Sequence, residues 1–232
     1  VDQSLGIRFE SVDAKAKTLE TDGLILDLED AVAPDAKEEA RARVCAAAQS
    51  GEYGDREITI RINGIGTEWH DADLAAVVAA KPAAVVVPKV NSADEVRQLD
   101  AAITAVGGDD EIDLWAMIET PEAIRNVSEI ATASPRLKVL VMGTNDLVAE
   151  LHAVHVPGRA PILTALSLSV LAARDAGIEI LDGVYNDVKN AEGFAAECRQ
   201  GVELGFDGKT LIHPSQIGPC NEAWAPSEAA VE

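Results

Sequence analysis

Seven apolar stretches of the chain each end in residues able to do chemistry. Residues 23–28 (GLILDL) run into Glu29 and Asp30, and residues 57–62 (EITIRI) finish in Arg61 before Asn63. Residues 83–90 (AAVVVPKV) carry Pro88 and Lys89, and residues 113–118 (DLWAMI) are followed by Glu119 and Thr120. Residues 137–143 (LKVLVMG) precede Thr144, Asn145 and Asp146. Residues 178–184 (IEILDGV) lead to Tyr185, Asn186 and Asp187, and residues 207–212 (DGKTLI) lead to His213 and Pro214. Two carboxylates from neighbouring strands, Glu119 and Asp146, suit Mg²⁺ completed by water and substrate oxygens. No three-histidine or Cys/His spacing points to zinc. Arg61 offers a planar fork for a carboxylate or an enolate oxygen. A metal and an arginine in one pocket would stabilise an enolate, which favours lyase or aldolase chemistry on an oxo- or hydroxyacid. Enolase-like and phosphate-handling enzymes share these ingredients. Each residue alone also has a plain structural role: Asp30 or Asp146 as a helix cap, Lys89 or Arg61 in an ion pair, His213 as a structural histidine.

The elements that must position these groups alternate. The apolar runs are continuous rather than alternating, as expected for parallel strands covered on both faces. Helical stretches separate them. Pro34 sits at a first helical turn before residues 35–48. Ser92 and Glu95 form a capping box that opens a helix to about Val106. Thr120, Pro121 and Glu122 read as a cap, an N1 proline and an acidic first turn. Residues 161–176 and 191–204 follow, with Gly177 and Gly205 as stops. Residues 4–9 (SLGIRF) are a weaker eighth strand at the front. Eight β/α units in one domain over residues 1–232 predict a TIM (β/α)8 barrel, with an open doubly wound sheet as the alternative. The barrel would gather all seven strand ends at one mouth. No Gly-x-Gly-x-x-Gly or Walker pattern follows a strand.

The bulk composition narrows the partners. A net charge of -21 argues against nucleic acid. No run of 18 apolar residues predicts a transmembrane helix, and no signal peptide opens the sequence. The three cysteines are neither paired in spacing nor arranged as C-x-x-C, which fits a reducing, cytoplasmic setting. A removed mitochondrial transit peptide is compatible with that reading.

Six strings in order, GLILDLEDAVAPDAKEEAR, IRINGIGTEW, VVVPKV, IETPEAI, GTNDL and GFDGKTLIHPSQI, resemble the citrate lyase β-subunit family. That family lies in the HpcH/HpaI aldolase superfamily with the malyl-CoA and citramalyl-CoA lyases. The resemblance runs from about Val12 to Ser227. It implies a TIM barrel in homotrimers or hexamers. It also implies Mg²⁺-dependent, reversible cleavage of a 3-hydroxy-3-carboxyacyl thioester, on CoA or an acyl carrier. The products would be an acyl thioester such as acetyl-CoA and an oxoacid. By the same resemblance Glu119 and Asp146 are metal ligands, and Arg61 binds the oxoacid and stabilises the enolate. Glu29 and Asp30 support the metal waters and the arginine. Lys209, His213 and Pro214 lie beside the thioester entrance. Relatives open with a strand like RSxLFVPG, where this sequence reads VDQSLGIRFESVD. Relatives also carry a C-terminal lid with a DGKM(I/V)D-like segment that supplies an aspartate as general acid/base. No such segment follows PSEAAVE, so no proton-transfer residue is assigned. A malate synthase-like condensing enzyme or thioesterase and a non-catalytic CoA-ester binder are the competing readings.

Overall fold

The structure is a computed structural model and describes residues 15–225. Seven strands form one parallel sheet in strictly sequential order. They are β1 (Gly23–Asp27), β2 (Glu57–Arg61), β3 (Ala84–Val87), β4 (Asp113–Ile118), β5 (Leu137–Met142), β6 (Glu179–Asp182) and β7 (Gly208–Lys209). All seven expected strands are present, each joined to the next through helix. The helices are α1 (Lys37–Gln49), α2 (His70–Ala80), α3 (Ala93–Ala105), α4 (Pro121–Ala131), α5 (Thr144–Glu150), α6 (Leu163–Ala176), α7 (Ala191–Leu204) and α8 (Ile217–Trp224). The result is an α/β half-barrel sheet. The expected eighth strand, residues 4–9, lies outside the described residues.

Local chemistry sets the element ends. Ser92 Oγ accepts from the Glu95 N–H at 3.2 Å, as a capping box requires, but Glu95 reaches back to the Asn91 N–H at 2.6 Å. Thr120 Oγ1 accepts from the Ala123 N–H at 3.0 Å and Pro121 takes the first helical position. Gly177 and Gly205 end α6 and α7 in the left-handed region, where a Cβ is costly. Strand β3 stops at Val87 because Pro88 has no N–H to give and Lys89 turns to φ 53°. The run 207–212 shrinks to two paired residues, since the chain leaves β6 after Thr210 for the turn at Pro214–Gln216.

Two apolar layers flank the sheet. The larger joins Ile60, Ile62, Val85, Val87, Leu114, Ile118, Leu140 and Ile180 to helix residues such as Val77, Ile103, Val127 and Leu166. The smaller, on the opposite face, contains Ala84, Val86, Trp115, Val139 and Val141, with Ile25, Met117 and Leu181 against it. The run at β3 is continuously apolar because both faces of Ala84–Val87 are buried. Strand β2 departs from that expectation. Ile58, Ile60 and Ile62 alternate with Glu57, Thr59 and Arg61, so its helix-facing side is apolar and its other side polar.

At the amino-terminal end of the sheet lies a cavity of about 780 Å³. Glu57, Asp113 and Glu179, the first residues of β2, β4 and β6, all line it. Burial pushes the Glu57 carboxyl above its ordinary value, and the charges of Asp113 and Glu179 push it further. Among the described residues, no helix is long and apolar enough to cross a membrane.

Candidate active site

The opposite, carboxyl-terminal end of the sheet gathers the predicted residues. Asp27 ends β1 directly beside Arg61 at the end of β2. The two form a bidentate pair, Nε to Oδ1 at 2.7 Å and Nη2 to Oδ2 at 2.7 Å. Asp27 also accepts the Glu29 N–H at 2.9 Å and the Ala31 N–H at 3.0 Å, which ties the acidic loop to the arginine. Burial raises the Asp27 carboxyl, but Arg61 and these N–H groups outweigh it and hold the group below its ordinary value. Arg61 Nη1 then reaches Glu29 Oε2 at 2.8 Å. Asp30 is more distant, at 3.8 Å from Nη1 with its side chain 70% exposed. Thus Asp27, rather than Asp30, is the main acid on Arg61. Its place two residues before Glu29 on the same strand face was the available signal.

Beneath this loop sits a lysine that motif reading does not single out. Lys37 is buried at the start of α1, and its ammonium donates to Leu28 O, Glu29 O and Asn63 Oδ1, each at 2.7 Å. It also lies 5.2 Å from the Trp69 ring centroid. Asn63 in turn donates to Leu28 O, and its backbone N–H donates to the buried carboxylate of Asp73. Asp73 is held by Arg41 at 2.6 Å. The loops after β1 and β2 are therefore fixed from below. A second cavity of about 470 Å³ opens here, with Glu29, Lys37, Asn63, Trp69 and Lys89 in its lining.

Glu119 follows β4 and is buried at 3% exposure. Its Oε1 accepts the Lys89 N–H at 2.8 Å. Its other side packs on Gly143, where a Cβ would stand 2.1 Å from Oε2 and 2.3 Å from the Glu119 Cβ. Only glycine leaves room for the carboxylate. Burial pushes the Glu119 pKa up to about 7, with the charges of Asp146 and Glu29 adding to it and the Lys89 N–H and ammonium opposing. Asp146 comes from the first turn of α5, which begins at Thr144, so it does not cap that helix as its position before Leu147 suggested. Asp146 Oδ2 lies 3.2 Å from the Lys89 ammonium, which is also 4.0 Å from Glu29 Oε1. Burial also lifts Glu29 above its ordinary value, against the pull of Arg61.

Among the described residues no group of three or more His, Cys, Asp or Glu side chains is arranged to hold a metal alone. Glu119 and Asp146 instead supply two hard oxygen donors beside a half-exposed mouth. The Lys89 ammonium sits against Asp146 as a cationic stand-in. That donor set fits Mg²⁺, which keeps several waters or substrate oxygens.

The three entrance candidates lie elsewhere. Lys209 ends β7 with its side chain fully buried, donating to Asp182 Oδ2 at 3.1 Å, Glu197 Oε1 at 2.8 Å and Gly183 O at 2.5 Å. All three of its protons are taken inside the chain, so it has none left for a ligand. Arg159 completes the cluster by a double contact from Nη1 to Asp182, at 2.6 and 2.8 Å. His213 is exposed, and its Nδ1 accepts the Ser215 N–H at 3.2 Å as the cap of a 3-10 turn that Pro214 opens. The structure joins neither residue to Arg61 or Glu119.

Parallel strands whose carboxyl ends converge on oxygen donors and a fixed guanidinium make an α/β scaffold of the class that in other proteins carries its site at that end. The chain belongs to the HpcH/HpaI aldolase/citrate lyase family, whose model matches residues 10–214. It is 46% identical over 218 residues to a (3S)-malyl-CoA thioesterase of Cereibacter sphaeroides (strain ATCC 17029 / ATH 2.4.9), covering 94% of this chain and 74% of the relative. It is 38% identical over 216 residues to citrate lyase subunit beta of Escherichia coli (strain K12), covering 91% and 72%. The protein CitE from Mycobacterium tuberculosis, solved in complex with magnesium, acetoacetate and coenzyme A, superposes with a TM-score of 0.76 at 32% identity. That match covers 96% of this chain and 78% of the other.

Proposed function

We propose that this chain is an Mg²⁺-dependent enzyme of malyl-type CoA thioesters that cleaves the carbon–carbon bond through an enolate. The observation that carries the reading is the convergence of Glu119, Asp146 and the clamped Arg61 at one strand-end mouth. Glu119 and Asp146 would hold the metal, which would polarise the substrate's hydroxyl and carboxylate oxygens. Arg61 binds the oxoacid portion and offers N–H groups to developing negative charge. Asp27 and Glu29 keep its fork in one orientation, so it needs no reorganisation as that charge appears. Asp30, at the rim, would add negative charge beside a bound metal. In the cleavage direction the hydroxyl proton leaves to a base. The carbon–carbon pair moves into the acyl thioester as an enolate, and protonation at carbon gives acetyl-CoA beside the oxoacid. We include in the proposal that this half-barrel sheet belongs to a full TIM barrel.

The 46% identity to a (3S)-malyl-CoA thioesterase favours a second reading, hydrolysis of the same thioester. Water would then add at the thioester carbonyl, and free CoA would leave as the thiol. Incubation with Mg²⁺ and (3S)-malyl-CoA separates the two. Acetyl-CoA with glyoxylate supports the lyase, while malate with free CoA supports the thioesterase. Neither product pair from any malyl-type thioester would sink the proposal. Replacing Mg²⁺ by a chelator should abolish either reaction.

A further inference from the structure

Lys89 stands where three carboxylates converge. Its backbone N–H donates to Glu119 Oε1 at 2.8 Å, and its ammonium lies 3.2 Å from Asp146 Oδ2 and 4.0 Å from Glu29 Oε1. The residue holds φ at 53°, in the left-handed region that disfavours a side chain bearing a Cβ. Such strain persists where the surroundings over-determine it. Here both halves of the residue are engaged: the backbone N–H by Glu119 and the ammonium by Asp146 and Glu29. Among the described residues, the other cations near this mouth are engaged elsewhere: Arg61 with Asp27 and Glu29, and Lys37 with Leu28 O, Glu29 O and Asn63 Oδ1. Lys89 is thus the cation that balances Glu119 and Asp146.

We propose that Lys89 is a tethered internal cation whose ammonium engages Asp146, one of the two metal-holding carboxylates, so that a divalent ion must displace it to bind. This rests on the magnesium reading above. The ammonium holds Asp146 and Glu29, and the backbone N–H holds Glu119, against the mutual repulsion of the three until the ion takes over. The site is thereby kept assembled without metal, and its affinity is lowered by the competitor it carries. The left-handed backbone serves the same end, because it lets one residue brace Glu119 from the main chain and Asp146 from the side chain.

Calorimetric titration of Mg²⁺ and Mn²⁺ into the metal-stripped protein tests this, with Lys89→Met and Lys89→Gly beside the wild type. Lys89→Met should bind the ion about tenfold more tightly, as one partly exposed opposing charge is removed. Lys89→Gly removes the same charge while accepting the left-handed backbone and its N–H to Glu119, and should bind at least as tightly as Lys89→Met. Both should melt below wild type without metal and regain more on adding it. Wild type that takes up neither ion overturns the magnesium reading itself. Wild type that binds, beside folded variants that bind equally or more weakly, overturns the role of Lys89 alone.

Discussion

Burial of a carboxylate is the governing fact at the scale of single residues. Glu119 sits against Gly143 and away from water, which pushes its pKa up to about 7 from 4.5. A raised carboxyl pKa contributes stability that is fully present below the unfolded value and is lost as pH rises through the folded one. The metal-free protein should therefore lose stability between about pH 5 and pH 8 on account of this group. Glu119→Gln should remove that loss, so its melting temperature should gain on wild type by several degrees across this interval, about 1–3 kcal/mol. Thermal melts in chelator at pH 5.5 and pH 8 read it directly. Equal differences at both values would show that Glu119 is not the titrating group. Gly143→Ala is the steric counterpart. Its Cβ would enter the space of Glu119 Oε2, so metal uptake should fall more than a hundredfold and the melt should drop, by about 1–3 kcal/mol for overpacking. Calorimetry and melts of that variant check both effects.

Individual elements decide how these residues meet. The acidic loop after β1 is held by Asp27 from above and by Lys37 from below. Lys37→Met should leave two carbonyls and the Asn63 side chain without their buried donor. It should cost about 2–4 kcal/mol and lower kcat through the freed Glu29. Chemical unfolding and steady-state kinetics would show it, and an unchanged kcat would mean that the loop needs no support. Much of this was legible in the sequence. The strand ends of β1, β2, β4 and β5 displayed their charges because a parallel strand must finish at the mouth, and the caps at Ser92 and Thr120 marked the helices beside them. Lys37 was not legible. A lysine at the start of an Ala-, Glu- and Arg-rich helix looks solvent-facing, and only the fold brings Leu28 O, Glu29 O and Asn63 around it. Lys209 is the same case in reverse. Its motif suggested an entrance, and the packing of α7 under β7 gives its ammonium Glu197 as a partner inside the chain. The first turn of α5 also escaped notice, since Gly143, a weak helix former, precedes it with no side-chain cap.

On the scale of the whole molecule, charge is divided between the two ends and the far side of the sheet. Arg159, Asp182, Lys209 and Glu197 form a buried cluster at β6 and β7, and Arg159 Nη2 has no partner among the described residues. Removing one member of such a group strands the others. Asp182→Asn should cost about 3–5 kcal/mol, roughly 10 °C in melting temperature. If Lys209→Met folds, its KM for the thioester should stay within about twofold of wild type, because the ammonium is spent inside the chain. A large rise in KM with an unchanged melt would return Lys209 to the binding site. The strictly sequential strand order reaches further than the site. Every strand pairs with its neighbour in sequence, so each new β/α unit emerging from a ribosome finds its partner already made. All of the proposed catalytic and metal residues, Glu29 through Asp146, are synthesised before the first member of the buried cluster, Arg159. The proposed mouth is thus made first, and the lock on β6 and β7 closes only as β7, the last of the described strands, arrives.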